Sequence, residues 1–534
     1  MTKALAGFWP ILRLNARLEV GRLPFWILAV AFIPLSSIPA YEVLFPTAEQ
    51  QAAANATLGT NPALLLLFGP APDLSTAGGF TAWRSAVFSG VFVSMMAIFT
   101  VIRRTRAEED SGRAELVSSA RVGRYTYLTA AVTLATAASL VAGIVIAAGL
   151  TALDAGAAGS VALGMSVALT GFAFAGVAAI AAQLGSFART ATSLAVTALG
   201  VSYVLRAWGD TSESMSWLSW VSPLGWTVKV QAFTENNVAP MVLLAGSAVI
   251  ALGIGYALLG RRDLGLGILT PREGPAHASA RLSNGLGLAS RLQASTLVAW
   301  AIGLTIVGVV FGSVSSSIGE VLSGTAGDSG FADAFGGGGS PGADVSTLFI
   351  STLVTLLAIL AASYGVSAAL RARMEESEGR VEPLLATGLS RVRWLGGHLV
   401  FALGGSALLV LASGTALGVS AAASGVDTQV VDVFGAAVVQ IAALWVLVGL
   451  AAALVGAAPR FATLAWIAVA VTFLLTVFGP LLDVPETVLG ISPFYHLPTL
   501  PGGEFDVAPV LALSALAGAL IAAGFVGIRR RDIG

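Results

Sequence analysis

Charged residues are scarce in this chain, and where they gather they do so twice with the same spacing. Glu108-Glu109-x-x-Gly112-Arg113-x-Glu115 and Glu375-Glu376-x-x-Gly379-Arg380-x-Glu382 lie 267 residues apart. A turn on the cytoplasmic face of a membrane carries such residues for topology alone. Duplication of the glycine and the acidic positions argues instead for a function. The second copy continues as a helix: Pro383 suits a first helical position beside Glu382, and Val381, Leu384, Leu385, Gly388 and Leu389 recur at i, i+3, i+4, i+7 and i+8. That pattern predicts a short amphipathic helix across the cytoplasmic surface, with Ser390 capping the helix after it. Other chemistries find little support. His277, His398 and His496 lie in different regions without metal-ligand spacing. The chain has no cysteine, which excludes thiolate metal sites, disulfides and thiol catalysis. Neither of the two lysines, Lys3 and Lys229, follows a glycine-rich phosphate loop.

The elements that must position these motifs are membrane spans. Of 534 residues, 56% are hydrophobic and 11% charged, whereas a soluble domain carries about 25% charged residues. A formal net charge of -1 gives no basic field for nucleic acid. Twelve apolar runs have spanning length: 23–41, 86–102, 125–150, 158–183, 190–205 and 238–259, then 295–313, 346–370, 395–420, 431–457, 461–480 and 508–528. The first run is expected to remain as a signal anchor. Arginine sets the orientation. It fills the segments around 13–22, 103–124, 261–291, 371–393 and 529–531, while loops 314–345 and 481–507 carry only acids such as Glu320, Asp328, Asp333, Asp483, Glu486 and Asp506. Both termini are therefore expected on the cytoplasmic side. Arg84, Arg206 and Lys229 are the exceptions, expected to snorkel from outer ends.

The halves match in order. Arg124 aligns with Arg391, Gly185 and Arg189 with Gly456 and Arg460, Ser222-Pro223 with Ser492-Pro493, and Arg262-Asp263-Leu264-Gly265 with Arg531-Asp532-Ile533-Gly534. An even number of spans separates the copies, so the repeats are parallel. The expected organisation is a six-helix half over 1–260, a cytoplasmic linker over 261–291 and a second half over 292–534. The stretch Gly336–Gly339 with Pro341 reads as a low-complexity loop tip.

Over its whole length the chain resembles ATP-binding-cassette exporter permeases of the duplicated actinobacterial type that exports polyketide antibiotics. The resemblance rests on Glu375-Glu376-x-x-Gly379-Arg380-x-Glu382-x-Leu384-Leu385, its first copy at Glu108–Glu115, and Phe68-Gly69-Pro70. It implies an all-α, type V (ABC-2-like) architecture in which both motifs are coupling helices that dock on a pair of separate ATPase subunits. Mg-ATP would be bound by those partners, none by this chain. It also implies re-entrant outer segments at Ser222-Pro223 and Ser492-Pro493 that gate the export path. The first copy departs from the pattern, with Ser118, Ser119 and Arg121 where the second has Leu385, Ala386 and Gly388. Unequal docking of the two copies is expected.

A hydrophobic substrate would meet an apolar path, for which Phe88, Phe92, Met95, Met96, Phe99 and Tyr203 are candidates in the first half, and Phe349, Tyr364, Trp466 and Phe473 in the second; core or lipid contact is the competing role of each. Gly414 and Gly418 are spaced for close helix packing. Twelve spans in two parallel repeats also fit a secondary carrier of the major-facilitator kind. Proton coupling leaves ionisable groups inside spans, and mid-span Asp, Glu, Lys and Arg are essentially missing.

Overall fold

A computed structural model describes residues 4–58, 62–118, 122–263, 265–269, 276–277, 279, 282, 284–325, 345–479 and 484–532. The linker residues Pro271, Arg272, Pro275 and Arg281, the acids Asp328, Asp333 and Asp483, the stretch Gly336–Gly339 with Pro341, and Ser119, Arg121, Leu264, Ile533 and Gly534 lie outside the described residues. Among the described residues every regular element is helical.

Two compact units divide the chain, Met1–Gly274 and Pro275–Gly534. In the first, a short helix α1 (Phe8–Glu19) precedes α2 (Leu23–Leu44), α3 (Ala48–Leu58), α4 (Pro62–Phe68) and α5 (Ala77–Arg103). Two short helices follow, α6 (Arg106–Asp110) and α7 (Arg113–Ser118), then α8 (Thr126–Ala152), α9 (Ala157–Leu184) and α10 (Ala188–Thr211). The unit ends with α11 (Trp217–Val221), α12 (Pro223–Lys229) and α13 (Val238–Leu259). The second contains α14 (Gly285–Thr325), α15 (Val345–Ser377), α16 (Val381–Ala386), α17 (Arg391–Ala423), α18 (Val430–Ala457), α19 (Leu464–Phe478), α20 (Glu486–Leu489) and α21 (Val507–Arg530).

Ten of these helices are long and apolar enough to cross a membrane: α2, α5, α8, α9, α13, α14, α15, α17, α18 and α21. The other two expected spans are helices of a different kind. α10 has 24 residues but carries Arg189, Arg206 and Asp210, and α19 has only 15, short of the roughly 20 that cross a hydrocarbon core.

Packing repeats between the units. α9 packs on α5, α8 and α13, and α18 correspondingly on α15, α17 and α21. Within their units α5, α9, α15 and α18 are mostly covered, while α2, α13, α14 and α21 leave most of their surface open. Small residues permit the close approaches: a Cβ added at Gly414 or Gly418 would sit 2.7 Å from the Ala437 methyl or 3.0 Å from Val433 on α18. The expected packing role of that pair is what the structure shows.

Candidate functional site

Each motif joins two helices at the same end of its unit. In the first, the chain leaves α5, makes α6 and α7, and enters α8; in the second it leaves α15, makes α16, and enters α17. Gly112 and Gly379 hold the left-handed conformation, φ +73° and +69°, and a Cβ on either would meet nothing within 4 Å. The glycine is therefore required by the backbone and not by lack of room. Ser390 caps α17 as expected, accepting from the Arg393 N–H at 3.3 Å. α16 starts two residues earlier than the Pro383 reading, at Val381.

The duplicated acids are held by a duplicated set of arginines. Glu108 pairs with Arg104 at 3.3 Å and Arg113 at 2.7 Å; Glu375 pairs with Arg371 at 3.1 Å and Arg380 at 3.2 Å. Glu109 pairs with Arg106 at 2.9 Å and Glu376 with Arg373 at 3.5 Å. The longest reach belongs to the last arginine of each half. Arg262 grips Glu109 with both terminal nitrogens, at 2.6 and 2.8 Å, and Arg531 grips Glu376 likewise, its Nη2 at 2.7 Å. Arg124 and Arg391, which open the next helices, donate to the carbonyls of Arg262 and Arg531 at 2.7 and 2.6 Å. Each connection is thus clamped to the end of its half's last long helix. The Glu108 hydrogen bond raises the affinity of Arg113 for its proton.

Further bonds seat the clamp on α9 and α18. Arg262 Nε donates to Gln183 Oε1 at 2.6 Å, and Arg531 donates to the Gly456 carbonyl at 2.9 Å and that of Val455 at 3.1 Å. Buried Arg106 donates to the carbonyls of Ser186 and, at 2.8 Å, Gly265. Asp110 accepts the Ala188 N–H that opens α10 at 2.5 Å. A cleft of about 470 Å³ lies behind the first connection, lined by Glu109, Ala114, Arg124, Tyr127, Gln183 and Arg262 among others.

The apolar stripe of α16 turns partly inward. Val381 is buried, and Leu385 and Leu389 pack on the core of their unit. Leu384 is half-buried, and Glu115 and Glu382 are exposed. In the first connection Ala114 is buried and Leu116 is exposed.

Ser222 and Pro223 open α12, and Ser222 is fully buried. Its hydroxyl accepts from the Gly225 N–H at 3.2 Å and donates to the Ser202 carbonyl of α10 at 2.6 Å. Thr227 and Thr170 of α9 share a hydrogen bond at 2.6 Å, and a Cβ at Gly90 would lie 3.1 Å from Leu224. Gly90 is thirteen residues into α5, about 20 Å along it. α12 therefore folds back beside the spans. In the second unit Ser492 is buried and its hydroxyl has no hydrogen-bond partner among the described residues, and Pro493 opens a single 3₁₀ turn, Pro493–His496.

Arg206 does not snorkel. Fully buried, it donates to the carbonyls of Leu66 at 2.8 Å and Leu67 at 3.2 Å, which end α4 and lead into Phe68-Gly69-Pro70. It also lies 3.5 Å from Asp210, and 4.7 Å above the Tyr203 ring. Arg84 and Lys229 sit over the rings of Phe80 and Trp220. Of the apolar path candidates, Met96 and Tyr364 are buried core residues. Phe92, Met95, Phe99 and Phe349 are partly buried against the cores, and Phe88 packs edge-on to Phe68. Trp466 and Phe473 are exposed.

Ten helices of spanning length, twice-built packing and a twice-built clamp define a multi-pass membrane protein of duplicated design. Comparison with known proteins gives the family. The family model for multidrug efflux system permease Rv1217c, C-terminal domain, matches the chain twice, over residues 12–259 and 282–529. Multidrug efflux system permease protein Rv1217c of Mycobacterium tuberculosis (strain ATCC 25618 / H37Rv) is 37% identical over 531 residues, covering 99% of this chain and 95% of that protein. The chain belongs to this family of multidrug efflux permeases.

Proposed function

We propose that the chain is the membrane subunit of an ATP-driven exporter that moves hydrophobic or amphiphilic compounds out of the cell by alternating access. In this reading α10 and α19 complete twelve spans in a type V arrangement, both termini face the cytoplasm, and residues 261–291 link the halves. Two copies of a separate ATPase, each with its own Mg-ATP, dock on the connections at 104–124 and 371–391.

The observation that carries the reading is the duplicated clamp. A docking segment transmits force only if it is fixed to what must move. Glu109–Arg262 and Glu376–Arg531 fix each connection to α13 and α21, and Arg124 and Arg391 fix the same points to α8 and α17. A push on either segment would then displace several helices together. The secondary carrier finds less support: Arg206 and Asp210 pair with each other, and Arg206 holds backbone carbonyls, a structural duty and not a proton relay.

Affinity purification of the tagged chain from its native membrane tests the proposal. The expected result is a co-purifying ATPase, with nucleotide hydrolysis in the complex and none in the stripped permease. Full substrate efflux from a preparation shown to lack any ATPase would refute it.

A further inference from the structure

α1 is only 12 residues long, about 18 Å, too short to cross the bilayer, yet it leads through Val20–Arg22 into the spanning helix α2. Its faces are sharply divided. Ile11, Asn15 and Glu19 are buried, whereas Trp9, Leu14 and Leu18 are between 47% and 65% exposed. Arg13 and Arg17, one turn apart on the open side, have no carboxylate partner among the described residues. A short helix with an open apolar flank and adjacent unpaired arginines, attached to a membrane span, matches a surface of acyl chains beneath anionic headgroups.

The buried face connects this surface to the first coupling segment. Glu19, with no exposed area, pairs with Arg103 at 2.9 Å and Arg104 at 2.6 Å, at the end of α5. At the other end of α1, the Ala6 carbonyl accepts from the Gly123 N–H and the Thr126 hydroxyl, both at 2.9 Å. α1 therefore braces both ends of residues 105–122. In the second unit the start of α14, which runs unbroken from Gly285, packs beside Arg393 and Gly397 of α17.

We propose that α1 lies in the headgroup layer, recognises anionic phospholipid through Arg13 and Arg17, and through Glu19 steadies the first coupling segment in response. Because the chain has no cysteine, Leu14→Cys, or Leu18→Cys as a second site, provides a unique position for an environment-sensitive fluorophore. Full-length protein is placed in nanodiscs containing nitroxide-headgroup phosphatidylglycerol or phosphatidylcholine. An arginine near an anionic surface contributes about five-fold enrichment, so roughly 25-fold is expected from two at low salt. Quenching by phosphatidylglycerol should be correspondingly stronger. Arg13→Gln with Arg17→Gln should bring the two lipids level, as should high salt.

Equal quenching by both lipids in the parent would refute anionic recognition. A water-like emission quenched by neither lipid would remove α1 from the membrane, and shielding that appears only with the co-purified ATPase would reassign the face to that partner. Hydrogen exchange over residues 105–118 should be slower in phosphatidylglycerol discs than in phosphatidylcholine discs, and Glu19→Gln should erase that difference while sparing the quenching. Lipid-independent exchange in the parent would refute transmission to the coupling segment. The quenching and exchange measurements on the chain alone involve neither transport nor ATP, so they stand or fall apart from the exporter reading.

Discussion

Glu109→Gln removes the charge that Arg262 grips and changes little else in shape. The Arg262 side chain is 4% exposed and that of Glu109 12%, so screening by water is slight. Breaking a buried pair by removing one partner costs about 3–5 kcal/mol. Arg262 keeps Gln183 Oε1 at 2.6 Å and the Leu266 carbonyl at 2.9 Å as acceptors, which places the expected cost near the lower end, about 3 kcal/mol. At 1.4 kcal/mol per decade that is roughly a 100-fold increase in local opening. Hydrogen exchange over residues 105–118 and at the end of α13 should accelerate together by about that factor, while the middle of α9 is unaffected. Combined with Arg262→Met, the loss should be well below the sum of the single changes, as coupled neighbours require. Exchange within about three-fold of the parent, or additive single effects, would show that the clamp does not hold the connection.

Other expectations follow from the same geometry. Leu384→Asp should reduce ATPase retained on the tagged permease with little change in melting temperature, whereas Leu385→Asp, which faces the core, should lower the melting temperature itself; the reverse order would contradict the placement of α16. Gly112→Ala and Gly379→Ala should each destabilise their connection by about 1–2 kcal/mol through the left-handed backbone, seen as faster local exchange; no change at either would show that the turn relaxes freely. Arg206→Met should cost several kcal/mol, because Asp210 is left buried without its cation and with only the Ser219 hydroxyl, at 2.8 Å, to hold it, and adding Asp210→Asn should recover part of it; thermal unfolding in detergent measures both.

Much of the fold is visible in one dimension because spanning helices must be long and apolar whatever their neighbours. Ten of the expected spans carry that signal. α10 and α19 weaken it, one with interior charges and one by length. The connections were legible as duplicated charge, yet their meaning was not. Arg262 and Arg531 were visible as matching ends, but their pairing with Glu109 and Glu376 closes distances of about 150 residues, which no local pattern encodes. The nearly equal offsets of the two pairs, 267 residues for the glutamates and 269 for the arginines, were the available clue. α1 escaped because two of the three residues on its buried face are polar, Asn15 and Glu19, and break the apolar stripe that marks an amphipathic helix. Arg206 was misread for the opposite reason: an arginine near a span's end usually reaches water, and only the α4 carbonyls, some 140 residues earlier, reveal that this one reaches inward.

ATP-dependent uptake into inside-out vesicles tests the account most directly. Vesicles containing this chain and its co-purified ATPase should accumulate a hydrophobic fluorescent dye when Mg-ATP is added outside, and should continue to do so with the proton gradient collapsed by an uncoupler. Glu109→Gln with Glu376→Gln should leave ATP hydrolysis by the partner largely intact while uptake falls. Uptake that proceeds without the ATPase and stops with the uncoupler would contradict the account.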